Sequence, residues 1–312
     1  MAQGPLFVSS GDLIADRRYQ WALDQAARGD LAAAADILVQ TVELTPGFAT
    51  AWFALGAIRD RIGDREGAVV AFEKAAAADP EDYHGARLHL ARLGAAEATP
   101  AMTAVYVRRL FDQHAPKFDE SLQGKLDYRG PALLHDAVRR ACAASGRPTR
   151  FAAMLDLGCG TGLAGAAFRA DVDRMTGVDL SPAMIEEANK KAIYDRLEAN
   201  ELNLFLAAEA AAGARYDLVV AADVFVYMAD FPGAAAKVAR VLASAGLFAF
   251  TVELHTGRGM ILRQTLRYAH AEDYVRDALV AEGFAILVAD RAWIRTEKSE
   301  PVAGLVVVAG HN

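Results

Sequence analysis

The residues most able to do chemistry are concentrated in one run at 155–162, Leu-Asp-Leu-Gly-Cys-Gly-Thr-Gly. Gly158, Gly160 and Gly162 lie between an apolar stretch and a helical pattern, so the backbone there can approach a ligand where a side chain would obstruct it. Glycine-rich turns of this kind hold several nucleotide-type cofactors, and two features narrow the choice. The spacing is Gly-x-Gly-x-Gly, with Ala164-Gly165 where a dinucleotide site has its third glycine. Asp156, beside the loop, suits an ammonium and would repel a pyrophosphate. Together they favour a cofactor with a cationic amino-acid part.

Asp179 closes the next apolar stretch and is followed by Leu180, Ser181 and Pro182. An acidic residue at the end of a second strand can accept hydrogen bonds from both hydroxyls of a ribose, and Ser181-Pro182 can cap and start a helix. Leu180 and Met184 then flank an adenine, and Ala208-Glu209, after an expected third strand, meet its edge.

Acid–base groups are expected just beyond strand ends, where ligands bind in open α/β sheets. They are Asp223 and Tyr227 after the fourth strand, Glu253 and His255 at the end of the fifth, and His270 in the run 267–270 before the last long helix. Tyr227, His255 and His270 are the catalytic candidates. His255 is alternatively a plain loop histidine, His270 a helix cap, and Tyr227 a core residue. Cys159 belongs to the loop and packs there. Cys142 and Cys159 are too far apart for metal-ligand spacing, so no metal site and no disulfide framework is expected. No Asn-Pro-Pro-aromatic or Asp-Pro-Pro-aromatic run follows the fourth strand.

Short apolar strands alternating with helices position these residues, the pattern of a parallel sheet covered on both faces. Strands are expected at 152–157, 174–179, 204–207, 216–222, 248–254, 285–289 and 304–309, and helices at 162–170, 182–194, 234–242 and 271–283. The polar stretch 295–301 joins the last two strands as an antiparallel hairpin.

The first hundred residues have a different organisation. An offset of 34 residues superposes Gly29-Asp30 on Gly63-Asp64, Ala34 on Ala68, Leu38 on Phe72 and Pro46 on Pro80. This is the period of the tetratricopeptide repeat. Trp52, Leu55, Gly56, Gly63, Ala68, Phe72, Ala75 and Pro80 occupy its signature positions in the second copy, whereas the first has Arg18 in place of the tryptophan. A further helix is expected at 84–93, a connector at 94–100 and a helix at 131–145. Between them, Tyr106, Phe118, Tyr128 and Arg129 are candidates for a lid over the cofactor, set among His114, Lys117 and Lys125.

Composition bounds the partners. A chain of 312 residues with 54% hydrophobic content buries a large core. A net charge of -7 and a pI near 5.5 argue against nucleic acid. No apolar run reaches a membrane span and no targeting signal is legible, so a cytoplasmic location is expected.

The run 155–162 and Gly177-Val178-Asp179-Leu180-Ser181 together resemble the first motifs of class I S-adenosylmethionine-dependent methyltransferases. Residues 106–112 and 125–129, placed after the repeats, resemble bacterial methyltransferases that carry tetratricopeptide repeats. The resemblance implies an α/β, Rossmann-like seven-stranded sheet of order 3-2-1-4-5-7-6, strand 7 antiparallel, preceded by an all-α tetratricopeptide-repeat domain. The implied domains are 1–98, a lid and connector at 99–150, and a methyltransferase domain at 151–312.

It also implies S-adenosyl-L-methionine as cofactor and S-adenosyl-L-homocysteine as product. Asp156, Gly158, Cys159 and Gly160 are expected at the methionine part, Asp179 at the ribose, and Leu180, Met184, Ala208 and Glu209 around the adenine. Tyr128, Arg129 and Asp223 complete the set, Arg129 against the methionine carboxylate. The acceptor is a small molecule or a protein side chain, with the repeats serving a protein partner or self-association.

Overall fold

The computed structural model describes residues 7–99, 101–120, 127–297 and 299–311. The chain divides into two compact units, the boundary falling between Tyr106 and Val107, with residues 264–266 grouped with the first. Among the described residues no helix is long and apolar enough to cross a membrane.

In the first unit one dipeptide does the same work twice. Gly29 and Gly63 adopt φ of +90° and +87°, the left-handed turn that glycine tolerates and other residues avoid. The aspartate that follows each glycine caps the next helix: Asp30 Oδ1 accepts from the Ala33 amide at 3.0 Å, and Asp64 Oδ1 from the Gly67 amide at 2.9 Å. These turns join α1 (Leu13–Ala27) to α2 (Leu31–Leu44) and α3 (Ala49–Ile62) to α4 (Arg65–Ala78). α5 (Ala86–Arg92) follows. Small residues set the helix spacing. A Cβ on Gly56 would come within 2.8 Å of the Phe72 ring. Tyr19, Leu38, Phe48 and Leu55 form one apolar cluster, and Phe53, Phe72 and Leu90 a second.

α6 (Ala104–His114) precedes the sheet, and α7 (Gly130–Ala144) starts with proline in its first turn. α7 is part of the second unit's core, burying Leu134, Ala137, Val138 and Ala141.

The strands β1 (Phe151–Leu157), β2 (Val172–Asp179), β3 (Arg196–Ala199), β4 (Tyr216–Ala221) and β5 (Leu242–His255) are mutually parallel, in the order 3-2-1-4-5. Beyond β5 lies β9 (Glu300–His311), antiparallel to it and to its other neighbour β8 (Phe284–Glu297). Two short strands not anticipated from the sequence, β6 (Met260–Leu262) and β7 (Tyr268–Ala271), pair with each other, and β7 also pairs with the end of β5.

Alternation along the strands feeds two cores. Leu155, Leu157, Val219 and Ala221 pack on one face under α10 (Leu202–Ala211), α11 (Phe231–Val241) and α12 (Glu272–Ala281). Met154, Leu218 and Val220 pack on the other under α7 and the short α8 (Leu163–Phe168). α9 (Pro182–Lys190) follows β2.

Three expectations need correction. The apolar run 204–207 is helical, inside α10, and the third strand is Arg196–Ala199. The polar stretch 295–301 is mostly strand, because β8 runs on to Glu297 and β9 begins at Glu300. His270 lies in β7 and does not begin a helix.

Candidate active site

The glycine loop is built from left-handed turns, φ being +64° at Gly158, +52° at Gly160 and +91° at Gly162. Gly158 is hemmed in, since a Cβ there would sit 2.6 Å from Val224 Cγ2, whereas one on Gly160 would meet nothing nearer than Phe118 at 3.7 Å. The open side of the loop is therefore over Gly160. Cys159 is buried, its amide donating to the Val178 carbonyl at 3.0 Å, and burial raises its thiol well above the usual range. The thiol is thus kept protonated and unreactive.

Two carboxylates support the loop. Asp179 Oδ2 accepts from the Gly160 amide at 2.9 Å and Oδ1 from the Ser181 amide at 2.8 Å, while burial pushes its pKa up to about 6 against these bonds. Asp156 is 1% exposed, and its Oδ2 accepts from the Tyr194 hydroxyl at 2.7 Å. Among the described residues its Oδ1 meets no donor at hydrogen-bonding geometry. Burial pushes Asp156 up to about 7, outweighing the lowering by Tyr194 and the Gly165 amide. A buried carboxylate oxygen without a donor is a costly arrangement that a cationic N–H would relieve.

The segment ahead of the sheet is tied onto this loop. Asp112 Oδ1 accepts from Ser181 Oγ at 2.5 Å, and Asp119 accepts from Thr161 Oγ1 and, at 2.7 Å, from Lys191 Nζ. Phe111 packs edge-on against Tyr227, with ring centroids 5.0 Å apart, and against Phe118 at 6.0 Å. Phe118 in turn faces Gly160. Of the expected lid residues, Tyr106 packs over Gly85 within the first unit; Lys125, one of the charges they were set among, lies outside the described residues. The Arg129 guanidinium stacks 4.4 Å above the Trp293 ring, so it is engaged with β8. The Tyr128 phenol is raised well above 10, chiefly by burial and then by the charge of Asp223.

Asp223 follows β4 with φ +62°. Its amide donates to Thr251 Oγ1 at 2.9 Å, and its Oδ2 accepts from Arg295 Nη1 at 2.6 Å. Arg295 is 1% exposed and also donates to Glu253, a carboxyl whose pKa is raised, first by burial. Arg267 donates to Glu297 at 2.7 Å and approaches the Tyr227 hydroxyl at 3.4 Å.

The expected histidines are not placed as bases. His255 Nδ1 accepts from the Gly257 amide at 2.9 Å, which leaves the proton on Nε2 to donate to the Gly259 carbonyl at 3.0 Å. Its ring pins the turn that follows β5. His270 is fully buried against Phe231 and Tyr274, and burial lowers it to about 4, so it is neutral and enclosed.

Around the expected adenine position, Leu180 is half-buried and Met184 fully buried on α9. Ala208 and Glu209 belong to α10, where Glu209 accepts from Arg196 at 2.7 Å and from the Tyr216 hydroxyl at 2.5 Å. That carboxylate is committed to structure. The residue at the rim after β3 is Asn200, whose amide donates to the Asp179 carbonyl at 2.9 Å. Asn200, Asp112, Asp119 and Arg295 were not singled out by sequence. Only Asn200 carries a local signal, its position after a strand-length segment.

Residues 155–248 match a family model described as a methyltransferase domain. A stretch of 105 residues is 36% identical to human methyltransferase-like protein 27, covering 33% of this chain. The chain spans 40% of the length of that relative. Among solved structures, magnesium protoporphyrin IX methyltransferase of Synechocystis PCC 6803, with bound S-adenosylhomocysteine, superposes with a TM-score of 0.50 at 18% identity, covering 67% of this chain and 99% of that one. The cyclase SpnF superposes with a TM-score of 0.52 at 15% identity, over 67% and 97% of the two chains. Residues 155–248 thus match a methyltransferase-domain model and lie within an α/β Rossmann-like sheet of the fold that these solved structures share.

Proposed function

We propose that the chain is an S-adenosylmethionine-dependent methyltransferase acting on a small-molecule acceptor. The observation that carries this reading is Asp156, whose buried Oδ1 has no donor among the described residues, beside a glycine loop that is open over Gly160. A ligand with an ammonium at one end and a ribose in the middle fits these residues: Asp156 takes the ammonium, Asp179 the ribose hydroxyls, and Asn200 lies at the adenine rim.

Bound there, S-adenosylmethionine supplies a methyl group already activated by its sulfonium. The chain's own residues then align and exclude water. The glycine loop permits close approach, and Phe111, Phe118 and Tyr227 form an apolar cover suited to a small acceptor. The first unit is read as tetratricopeptide repeats, on the 34-residue period and its recurring glycine turn and aspartate cap, serving a partner or self-association.

Similarity to a cyclase is a reminder that one fold hosts several reactions. A nicotinamide-dependent oxidoreductase is disfavoured because Asp156 would face the pyrophosphate. Titration calorimetry of the full chain with S-adenosylhomocysteine and with NAD separates these readings. Binding of the former alone is expected, with Asp179→Ala losing at least 100-fold in affinity. NAD binding without S-adenosylhomocysteine binding, or unchanged affinity in the variant, refutes the assignment.

A further inference from the structure

We propose that the methyl acceptor is a small molecule whose nucleophilic nitrogen or oxygen carries its own hydrogen, and that Asp223 Oδ1 receives that hydrogen. This rests on the reading above and adds the acceptor's chemical class.

Asp223 stands beside the cofactor loop, because its neighbour Val224 is the residue packed against Gly158. Its backbone is fixed by the bond from its amide to Thr251 Oγ1. A φ of +62° is a conformation that aspartate and asparagine tolerate better than most residues. Its Oδ2 is taken by Arg295 at 2.6 Å, and Arg295 is fixed in turn by Glu253. Oδ1 remains, buried and without a donor among the described residues. Arg295 Nε is likewise buried and without a partner among the described residues.

An ion pair built only to hold two strands together would have its polar atoms satisfied. Here the pair locks one carboxylate oxygen and leaves the other without a donor among the described residues, and the buried Tyr128 phenol feels the charges of both Asp223 and Arg295. Arg295 and Glu253 are positioning residues, and Asp223 is the group that touches substrate.

The balance of the step follows. The lone pair of the acceptor forms a bond to the methyl carbon as the carbon–sulfur bond breaks, its electron pair going to sulfur. The acceptor's hydrogen passes as a proton to Asp223 Oδ1. Carboxylates, thioethers and tertiary amines have no such hydrogen. Carboxylates are further opposed by Asp223, Glu253 and Asp156.

The full chain is incubated with methyl-labelled S-adenosylmethionine and the small-molecule fraction of a cell extract, and labelled products are identified by NMR. Label is expected on a nitrogen or oxygen that carried hydrogen. Asp223→Asn, which suits the same φ, is expected to slow transfer at least 100-fold. The rates are compared at saturating S-adenosylmethionine, so that a change in donor affinity does not enter the comparison. Arg295→Lys, which keeps the charge, should lower kcat about tenfold with KM for the methyl donor unchanged. Label on a carboxylate, sulfur or carbon overturns the proposal, as does Asp223→Asn turnover within threefold of wild type. S-adenosylhomocysteine binding by wild type with no labelled product overturns the acceptor class and leaves the cofactor reading standing. No S-adenosylhomocysteine binding by wild type removes both. Product identity is read on wild type, so it decides whether or not the variants fold.

Discussion

Arg295 Nη1 lies 2.6 Å from Asp223 Oδ2, an ion pair between residues 72 positions apart. It connects the end of a parallel strand with the interior of the terminal hairpin, and Glu253 contributes a second carboxylate from β5. Removing one member of such a buried set strands the others, at a cost of about 3–5 kcal/mol.

Asp156 is held at about 7, against an ordinary value of 3.8, first because burial penalises its charge. Between those values the folded chain binds more protons than the unfolded one, so this group lowers stability as pH rises from 4 to 7 and keeps it low above. Asp156→Asn should therefore stabilise the ligand-free second unit at pH 8, by on the order of 1–4 kcal/mol, and weaken S-adenosylhomocysteine binding tenfold or more. Thermal melting at pH 8 and calorimetry check the two effects. A variant no more stable than wild type would show that the carboxylate is not penalised by its surroundings.

Gly158 and Gly160 should respond differently to alanine. Both pay the left-handed backbone penalty, about 1–2 kcal/mol, but only at Gly158 does the new methyl collide with Val224. Gly158→Ala is expected to melt markedly lower. Gly160→Ala should fold with a modest loss and lose at least tenfold in S-adenosylhomocysteine affinity, its methyl filling the cradle. Melting curves that coincide for the two variants contradict the geometry.

Glu209 is expected to matter for stability and not for the cofactor. Glu209→Ala leaves the Tyr216 hydroxyl and one arm of Arg196 without an acceptor, costing about 1–3 kcal/mol. Affinity for S-adenosylhomocysteine should stay within twofold. A tenfold loss in calorimetry would return Glu209 to the adenine site.

His270 should leave no mark on the pH profile of methyl transfer between pH 6 and 8. His270 is lowered from 6.5 to about 4 by burial, so its contribution to stability is complete above pH 6.5 and is lost as pH falls toward 4. His270→Leu should remove that acid-side loss, seen as the difference between variant and wild-type melting from pH 7 to 4. His255→Asn should loosen the turn at 256–259 alone. A shift in the pH–rate curve of either variant would identify a base.

The loop was legible because its signal is local: three glycines, Asp156 and Asp179 lie at spacings that one strand-turn-helix unit enforces. The run at 204–207 misled because Leu-Phe-Leu-Ala is apolar enough for a buried strand and too short to show a period. What settled it is a cap, since the Glu201 carboxylate accepts from the Leu204 amide at 2.8 Å and starts a helix. Arg295 was hidden for a different reason. Its own neighbourhood, Arg-Thr-Glu-Lys-Ser-Glu, reads as a solvated turn. The carboxylates that make its burial tolerable come from positions 223 and 253, and only the pairing of β9 with β5 and β8 brings them together.

The match to a methyltransferase-domain model ends at residue 248, ahead of both Glu253 and Arg295. Transplanted into another scaffold, that cassette would carry the glycine loop and Asp223 but leave behind the counter-ion that orients Asp223. The glycine loop is portable within this fold, whereas the ion pair that holds Asp223 depends on a strand in the last thirty or so residues, which a boundary drawn by family likeness would discard.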